Sequence, residues 1–328
     1  MAPSPSTPTA LKNSRSIHKR IRVDRAAEKL FLVSSTLPLL IAVLLLITLV
    51  ARSLPIFSTA SLKDLLLGEI WKPLQAQFGF MPFIAGTFWV TLVAMILAVP
   101  PCLLCAIFLA EYAPPGLRSA AKPLLDILAA IPSVVYGVWG VVAIVPWIQN
   151  QVAPFFNRYF GNIPIFTTDN PTGFSLFAGS NVLAIMIAPF IISVVYEVLH
   201  TVPNGYREAS LAVGATRWQT IKYAVVPQVV PGIAAGIVLG ASRALGETIA
   251  VLMVVGNVPK IPHSLFDPAY PLPALIANNY GEMLSIPLYD AALMTASLLL
   301  LVIVLLFNIT ATLVLRRFVS RSTAGKVN

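Results

Sequence analysis

Five stretches of this chain, residues 30–51, 73–110, 127–157, 170–196 and 291–315, carry no charged side chain. Each can hold the roughly 20-residue helix that crosses a bilayer. A sixth stretch, 223–259, is interrupted within its apolar run by Arg243 and Glu247. Charged residues make up 11% of the chain and hydrophobic ones 57%, against about 25% charged in an ordinary soluble domain. The solvent of this chain is therefore lipid. A β-barrel needs alternating segments of about ten residues, whereas these runs are apolar throughout, so the fold class expected is all-α with six transmembrane helices. The expected spans are 30–51, 83–110, 124–148, 176–199, 228–256 and 290–315. Prolines inside them predict kinks, with Pro100-Pro101 and Ile131-Pro132-Ser133 as the expected breaks.

Charge placement orients the bundle. On this topology 16 of the 22 Lys and Arg residues fall on one side, in the N-terminal arm, the loops 111–123 and 200–227, and the tail. Five fall on the other side, and Arg243 lies within a span. The positive-inside tendency then places both termini in the cytoplasm. The net charge of +9 is explained by that asymmetry and an anionic inner leaflet, without a nucleic-acid partner. The organisation expected is a basic, partly disordered arm (1–29), a transmembrane domain (30–315) and a short tail (316–328). The 22-residue apolar run after the arm is long for a cleaved signal and is read as a retained span.

Several features carry no chemistry of their own. Cys102 and Cys105 sit in an apolar run without further ligands or an activating charge and read as packing residues. His18, His200 and His263 are too scattered for a metal site. Asp126 and Glu197 fall near span ends, where Lys122 is within reach of a partner, and Asp290 can cap the sixth span. No Gly-x-x-x-x-Gly-Lys-[Ser/Thr] occurs, so any nucleotide energy must be bound by another chain. Outer segments 52–82, 149–175 and 257–289 hold Trp71, Phe155, Phe156, Phe160, Tyr270 and Tyr280, which read first as membrane-interface anchors.

Two regions do point to function. In the fifth span, Arg243 and Glu247 are four residues apart, so on an unbroken helix they share a face and can neutralise one another. An arginine at a lipid-facing helix centre costs about 2.5–3.5 kcal/mol on insertion scales, so this face belongs to a path or a buried pair. The planar guanidinium suits a tetrahedral oxyanion. Glu247 can accept from a protonated oxyanion and repels a fully ionised one. Thr248 can add a neutral hydrogen bond, although its ordinary partner is its own i−4 carbonyl. Gly232, Gly236 and Gly240 make one smooth face for close helix approach. The second region is the loop 200–227, which reads as a short helix over 204–213, a turn at Gly214 and a second helix over 216–224.

That loop carries Glu208-Ala209-Ser210-x-x-x-Gly214 and then Ala224-x-Val226-Pro227. It resembles the coupling loop of bacterial ABC-transporter permeases, usually Glu-Ala-Ala-x-x-x-Gly followed by Ile-x-Leu-Pro. Ser210 stands where that pattern has its second Ala. The stretches Leu128-Ala-Ala-Ile131-Pro132-Ser133-Val-Val-Tyr136-Gly137 and Ser242 to Asn257 narrow the resemblance to the phosphate-specific branch, nearest its PstC-type subunits. The resemblance implies a non-catalytic importer subunit for inorganic phosphate in the cytoplasmic (inner) membrane. It implies four kinds of associate: a homologous PstA-like permease, a PstB-like ATPase dimer, a PstS-like phosphate-binding protein and membrane lipid. No cofactor is expected on this chain, with ATP and Mg²⁺ on the ATPase. Arg243, Glu247 and Thr248 are the expected substrate path, and Glu208, Ala209, Ser210 and Gly214 the expected ATPase-coupling residues. A PstA-like partner subunit, a permease for another oxyanion, a gradient-driven transporter and a nontransporting membrane subunit stay open as alternatives.

Overall fold

In the computed structural model the chain is described over residues 9–167, 169–281, 286 and 288–324, with side chains described from 23 to 317 within those ranges. Residues 1–8 of the expected arm and 325–328 of the expected tail lie outside the described residues. Residues up to Arg52 form one unit and the remainder a second.

Among its described residues the first unit is a single long helix. It starts at Thr9, immediately after the last of Pro3, Pro5 and Pro8, and runs to Ser53. Residues 9–29 of the expected arm are helical. That stretch is free of proline and rich in Arg, Lys and Ala, all good helix formers.

Six helices are long and apolar enough to cross a membrane: Val23–Ser58, Met81–Tyr112, Ser133–Phe160, Leu176–His200, Arg217–Leu245 and Tyr289–Arg317. They are called spans one to six below. Among the described residues, strand structure is confined to a two-residue antiparallel pair, Trp71–Lys72 with Gln77–Phe78.

Span four is the axis of the second unit. Val90, Ala94, Ala98, Cys102 and Ala106 form an every-fourth-residue stripe on span two, and Leu183, Ile187, Ile191, Val195 and Leu199 form one on span four; all are buried in one cluster. Small side chains on one helix thus receive large ones from the other. Lipid tails are as apolar as leucine, so it is this close packing, not escape from water, that selects the partner. The Ser180 hydroxyl ties the two by donating to the Val90 carbonyl at 3.1 Å. Cys102 fills a place in the stripe, consistent with a packing role.

On its other side span four meets the glycines of span five. A Cβ on Gly232, Gly236 or Gly240 would stand 2.6, 2.9 or 2.7 Å from Val198, Val194 or Ile191. The close approach read from their spacing is what holds these spans together. A second core, with Phe78, Phe80, Phe83, Tyr270, Leu272 and Tyr289 buried in it, closes the opposite end of the bundle from the loop 200–227.

The third span departs from expectation. It starts at Ser133 rather than 124, because Ile131 and Pro132 are extended (ψ 129° and 138°) and interrupt the helix. Residues Pro115–Ala130 form a separate helix. Arg118, Lys122 and Asp126 recur along it at every fourth position, the pattern of an amphipathic interfacial helix. Lys122 pairs with Glu197. The apolar run 127–130 is the last turn of this helix rather than the start of the third span.

At Pro100-Pro101 the expected break is absent, and Met81–Ile107 is continuous. Prolines instead mark π-helical turns. The four π stretches are Phe108–Tyr112, Gly140–Ile144, Ile148–Val152 and Thr220–Val225. They end two residues before Pro114, Pro146, Pro154 and Pro227 respectively. A proline ring crowds the carbonyl four residues back and offers it no N–H; widening the turn by one residue relieves both problems.

Candidate functional site

The fifth span, expected over 228–256, is not one continuous helix. The helix ends at Leu245, with Gly246 as the C-cap. The chain turns through Gly246 to Thr248 and resumes as the short helix Ile249–Leu252. The three close glycines step along span four at Val198, Val194 and Ile191, and Arg243 follows with its guanidinium 5.5 Å from the Phe190 ring centre. The break is therefore level with the middle of span four. Non-helical backbone at that depth persists only where protein or a water-filled path covers it.

This geometry corrects the expected Arg243–Glu247 pair. Arg243 lies on the helix before the break and Glu247 within the break, and no ion pair joins them among the described residues. Glu247 turns to the new helix, where its Oε1 accepts from the Ala250 N–H at 3.2 Å. A carboxylate there satisfies an orphan donor of the helix start. Thr248 donates to the Gly246 carbonyl at 3.2 Å rather than to an i−4 carbonyl, because no regular turn precedes it. Arg243 is exposed on the isolated chain, and Glu247 and Thr248 are half-buried. The described residues give Arg243 no hydrogen-bond acceptor, leaving its fork of donors available.

The segments quoted around Gly137 and Ala250, far apart in sequence, meet here. A Cβ on Gly137 would stand 2.6 Å from Met253 Sδ, and one on Gly140 2.9 Å from Val254. The Tyr136 hydroxyl donates to the Leu128 carbonyl at 2.9 Å across the Ile131-Pro132 interruption.

The loop 200–227 forms the second site. Asn204–Ala212 is helical, and Gly214 turns the chain at φ +85°. That conformation costs other residues but not glycine. The expected second helix is present, but it does not end at 224. It begins with a Thr216–Gln219 capping box and runs through Arg217–Gln219 and the π stretch into span five. The short helix Asn204–Ala212 is thus coupled to span five by one turn of chain.

Its two faces differ. Glu208 and Ala209 are exposed. On the inner face, Ser210 Oγ lies 3.0 Å from Thr220 Oγ1. Arg207 reaches the carboxylate of Glu111, at the inner end of span two, with Nε 3.2 and 3.1 Å from Oε1 and Oε2 and Nη2 2.6 Å from Oε1. Arg207 also donates to the Val202 and Leu199 carbonyls at 2.8 and 3.3 Å. Arg217 donates to the Glu111 carbonyl and lies over the Tyr112 ring at 4.8 Å. Arg118 donates to the Leu109 and Ala110 carbonyls at 3.2 and 2.8 Å. Arginines thus satisfy the last carbonyls of span two, where a helix end favours cations.

Sequence reasoning missed Glu111, Arg207, Arg118 and Arg217. A signal existed for one of them: Glu111 is the acid that closes the uncharged run 73–110. Nothing in the sequence tied it to Arg207. Outside the spans, hydrogen bonding to Glu197 holds the Lys122 ammonium above the ordinary lysine range.

Residues 102–323 match the family described as binding-protein-dependent transport system inner membrane component. The chain is 39% identical over 250 residues to the phosphate transport system permease protein PstC of Pasteurella multocida, covering 75% of this chain and 78% of that one. It is 37% identical over 291 residues to the PstC protein of Haemophilus influenzae, covering 87% and 91%. Among solved structures, a bacterial ABC transporter involved in the import of the acidic polysaccharide alginate superposes with TM-score 0.57 at 20% identity, over 90% of this chain and 99% of that chain. The MetNI methionine ABC transporter in an inward-facing conformation gives 0.52 at 21%, over 76% and 99%. At such identities these two structures establish the fold alone.

Proposed function

The chain belongs to the binding-protein-dependent transport inner-membrane component family, and on that premise we propose that it is the PstC-type permease subunit of an ATP-driven importer of inorganic phosphate in the cytoplasmic membrane. The observation that carries this reading is the similarity to PstC proteins over most of both chains. The interrupted fifth span, which sets an uncommitted guanidinium at mid-membrane depth, supports it.

The chain supplies half of a membrane path and performs no bond chemistry. An exposed arginine cannot face lipid at this depth without a cost of about 2.5–3.5 kcal/mol on insertion scales. The face bearing Arg243 is therefore turned to a homologous second subunit and the path between them. There the guanidinium meets two phosphate oxygens with two donors. Glu247 accepts the acidic hydroxyl of the partly protonated ion, which sulfate lacks, and Thr248 offers a neutral hydroxyl.

ATP and Mg²⁺ bind a separate ATPase dimer, and a phosphate-binding protein delivers the ion from the opposite side. Glu208 and Ala209 present the exposed face of the short helix Asn204–Ala212 to the ATPase, Ser210 secures its inner face, and Gly214 sets its angle. Both termini lie with this helix in the cytoplasm, as the distribution of Lys and Arg favours.

The test is reconstitution of this chain with its second subunit, ATPase and binding protein in liposomes, with labelled phosphate outside. Uptake should require ATP and every component. Robust uptake by this chain without the ATPase would overturn the proposal in favour of a gradient-driven carrier.

A further inference from the structure

The helix Asn204–Ala212 is fastened to the bundle at few points. Behind it lies a recess of about 640 Å³ whose lining includes Glu111, Arg118, Asn204, Arg207, Leu211 and Arg217. Across that space run the forked ion pair from Arg207 to Glu111 and the hydroxyl contact from Ser210 to Thr220. Both anchors fall in π-helical turns, Glu111 in Phe108–Tyr112 and Thr220 in Thr220–Val225. A π turn is a single widened turn inside an α-helix and often marks a functional site.

We propose that the Arg207–Glu111 ion pair, assisted by Ser210–Thr220, is the linkage through which the ATPase-docking helix moves the inner ends of spans two and five, so that Glu111 and Arg207 are positioning residues for transport. The proposal rests on the ATPase-coupled reading above and names the residues that transmit the coupling. The physical grounds are stiffness and placement. A guanidinium held by both carboxylate oxygens fixes distance and orientation together, which a single hydrogen bond does not. Glu111 keeps 7% of its side chain exposed and Arg207 21%, so water screens the pair little. Arg207 adjoins Glu208 in sequence but points the other way. A push on the exposed face is therefore delivered to span two through the adjoining residue. Arg217, bonded to the backbone of Glu111, joins the start of span five to the same point.

The experiment compares wild type, Glu111→Gln and Arg207→Lys in the reconstituted complete complex. Assembled complex, ATP hydrolysis with and without phosphate-loaded binding protein, and phosphate uptake are measured in the same vesicles. Glu111→Gln keeps the shape and removes the charge; Arg207→Lys keeps the charge and removes the fork. Phosphate moved per ATP should fall about tenfold in the first and less in the second, with stimulation by the binding protein weakened in the same order. A role confined to folding would lower only the amount of assembled complex. An unchanged transport ratio and unchanged stimulation in the complex that does assemble would overturn the linkage, whatever its yield. If the wild-type ATPase responds to its binding protein without phosphate uptake, the substrate reading fails, and the stimulation ratio of the variants still decides the linkage.

Discussion

The guanidinium of Arg207 and the carboxylate of Glu111 are 96 positions apart in the chain and meet through three N–H to oxygen contacts, the shortest 2.6 Å. Glu111 is where the second span's uncharged surface ends, and Arg207 is where the short helix after span four turns its back to the bundle. A buried carboxylate at this position is tolerable only because its partner arrives from another element; removing one member of such a pair costs about 3–5 kcal/mol in typical cases. The membrane bundle and its soluble-facing helix are thereby folded as one object.

Gly214 should tolerate a side chain's volume but not its backbone preference. Nothing lies within 4 Å of a Cβ placed there, yet φ is +85°. Gly214→Val should cost about 1–2 kcal/mol through left-handed backbone strain, and Gly214→Asn less. Measured in the complete complex, Gly214→Val should weaken binding-protein stimulation of ATP hydrolysis and lower uptake, with the Asn variant in between. Wild-type values for Val would show that the angle of this turn does not matter to coupling.

Among the described residues Arg243 has no ion pair to lose, so its variants should assemble. Arg243→Lys should reduce phosphate uptake because the planar fork is gone, and Arg243→Gln should reduce it further. The combined exchange Arg243→Glu with Glu247→Arg should not restore transport, since the helix ends at Leu245 and leaves Glu247 in the turn beyond it. Recovery of uptake by that exchange, at normal membrane abundance, would contradict the separation.

Glu247→Gln should narrow the preference for phosphate over sulfate. The carboxylate repels a fully ionised anion and accepts from a protonated one, whereas the amide does neither as strongly. Competition of unlabelled sulfate against labelled phosphate uptake reads this directly; an unchanged ratio would remove Glu247 from ion selection and leave it its bond to the Ala250 N–H.

Close packing on span four makes Gly236 a stability position. The first atom of any side chain there meets Val194 at 2.9 Å. Gly236→Leu should therefore destabilise the folded chain by about 1–3 kcal/mol as overpacking does, seen as a lower thermal midpoint in detergent. Gly236→Ala should do so less. An unshifted midpoint for Leu would mean that spans four and five separate at little cost.

Much of the architecture is local and was therefore legible. A charge-free run of twenty residues has one low-energy fate in lipid, because every backbone polar group must be bonded within its own helix. The same holds for the Gly232, Gly236 and Gly240 face and for the turn at Gly214. Span boundaries were less legible wherever proline intervened. Pro132 ends a helix because its neighbour Ile131 is extended, whereas Pro100 and Pro101 leave theirs intact; hydropathy gives the two the same weight.

The sequence by itself determined that the chain lives in a bilayer, that Arg243 and Glu247 are exceptional there, and that residues 204–214 form a turn-terminated helix. These follow from transfer energies and backbone preferences that act over a few residues. Only the tertiary structure decided that Arg243 and Glu247 do not pair, because that depends on where span five stops being a helix against span four. It alone joined Arg207 to Glu111 and Ser210 to Thr220. A buried charge takes whatever partner the packing of distant helices brings within reach, and spacing along the chain carries no record of that meeting.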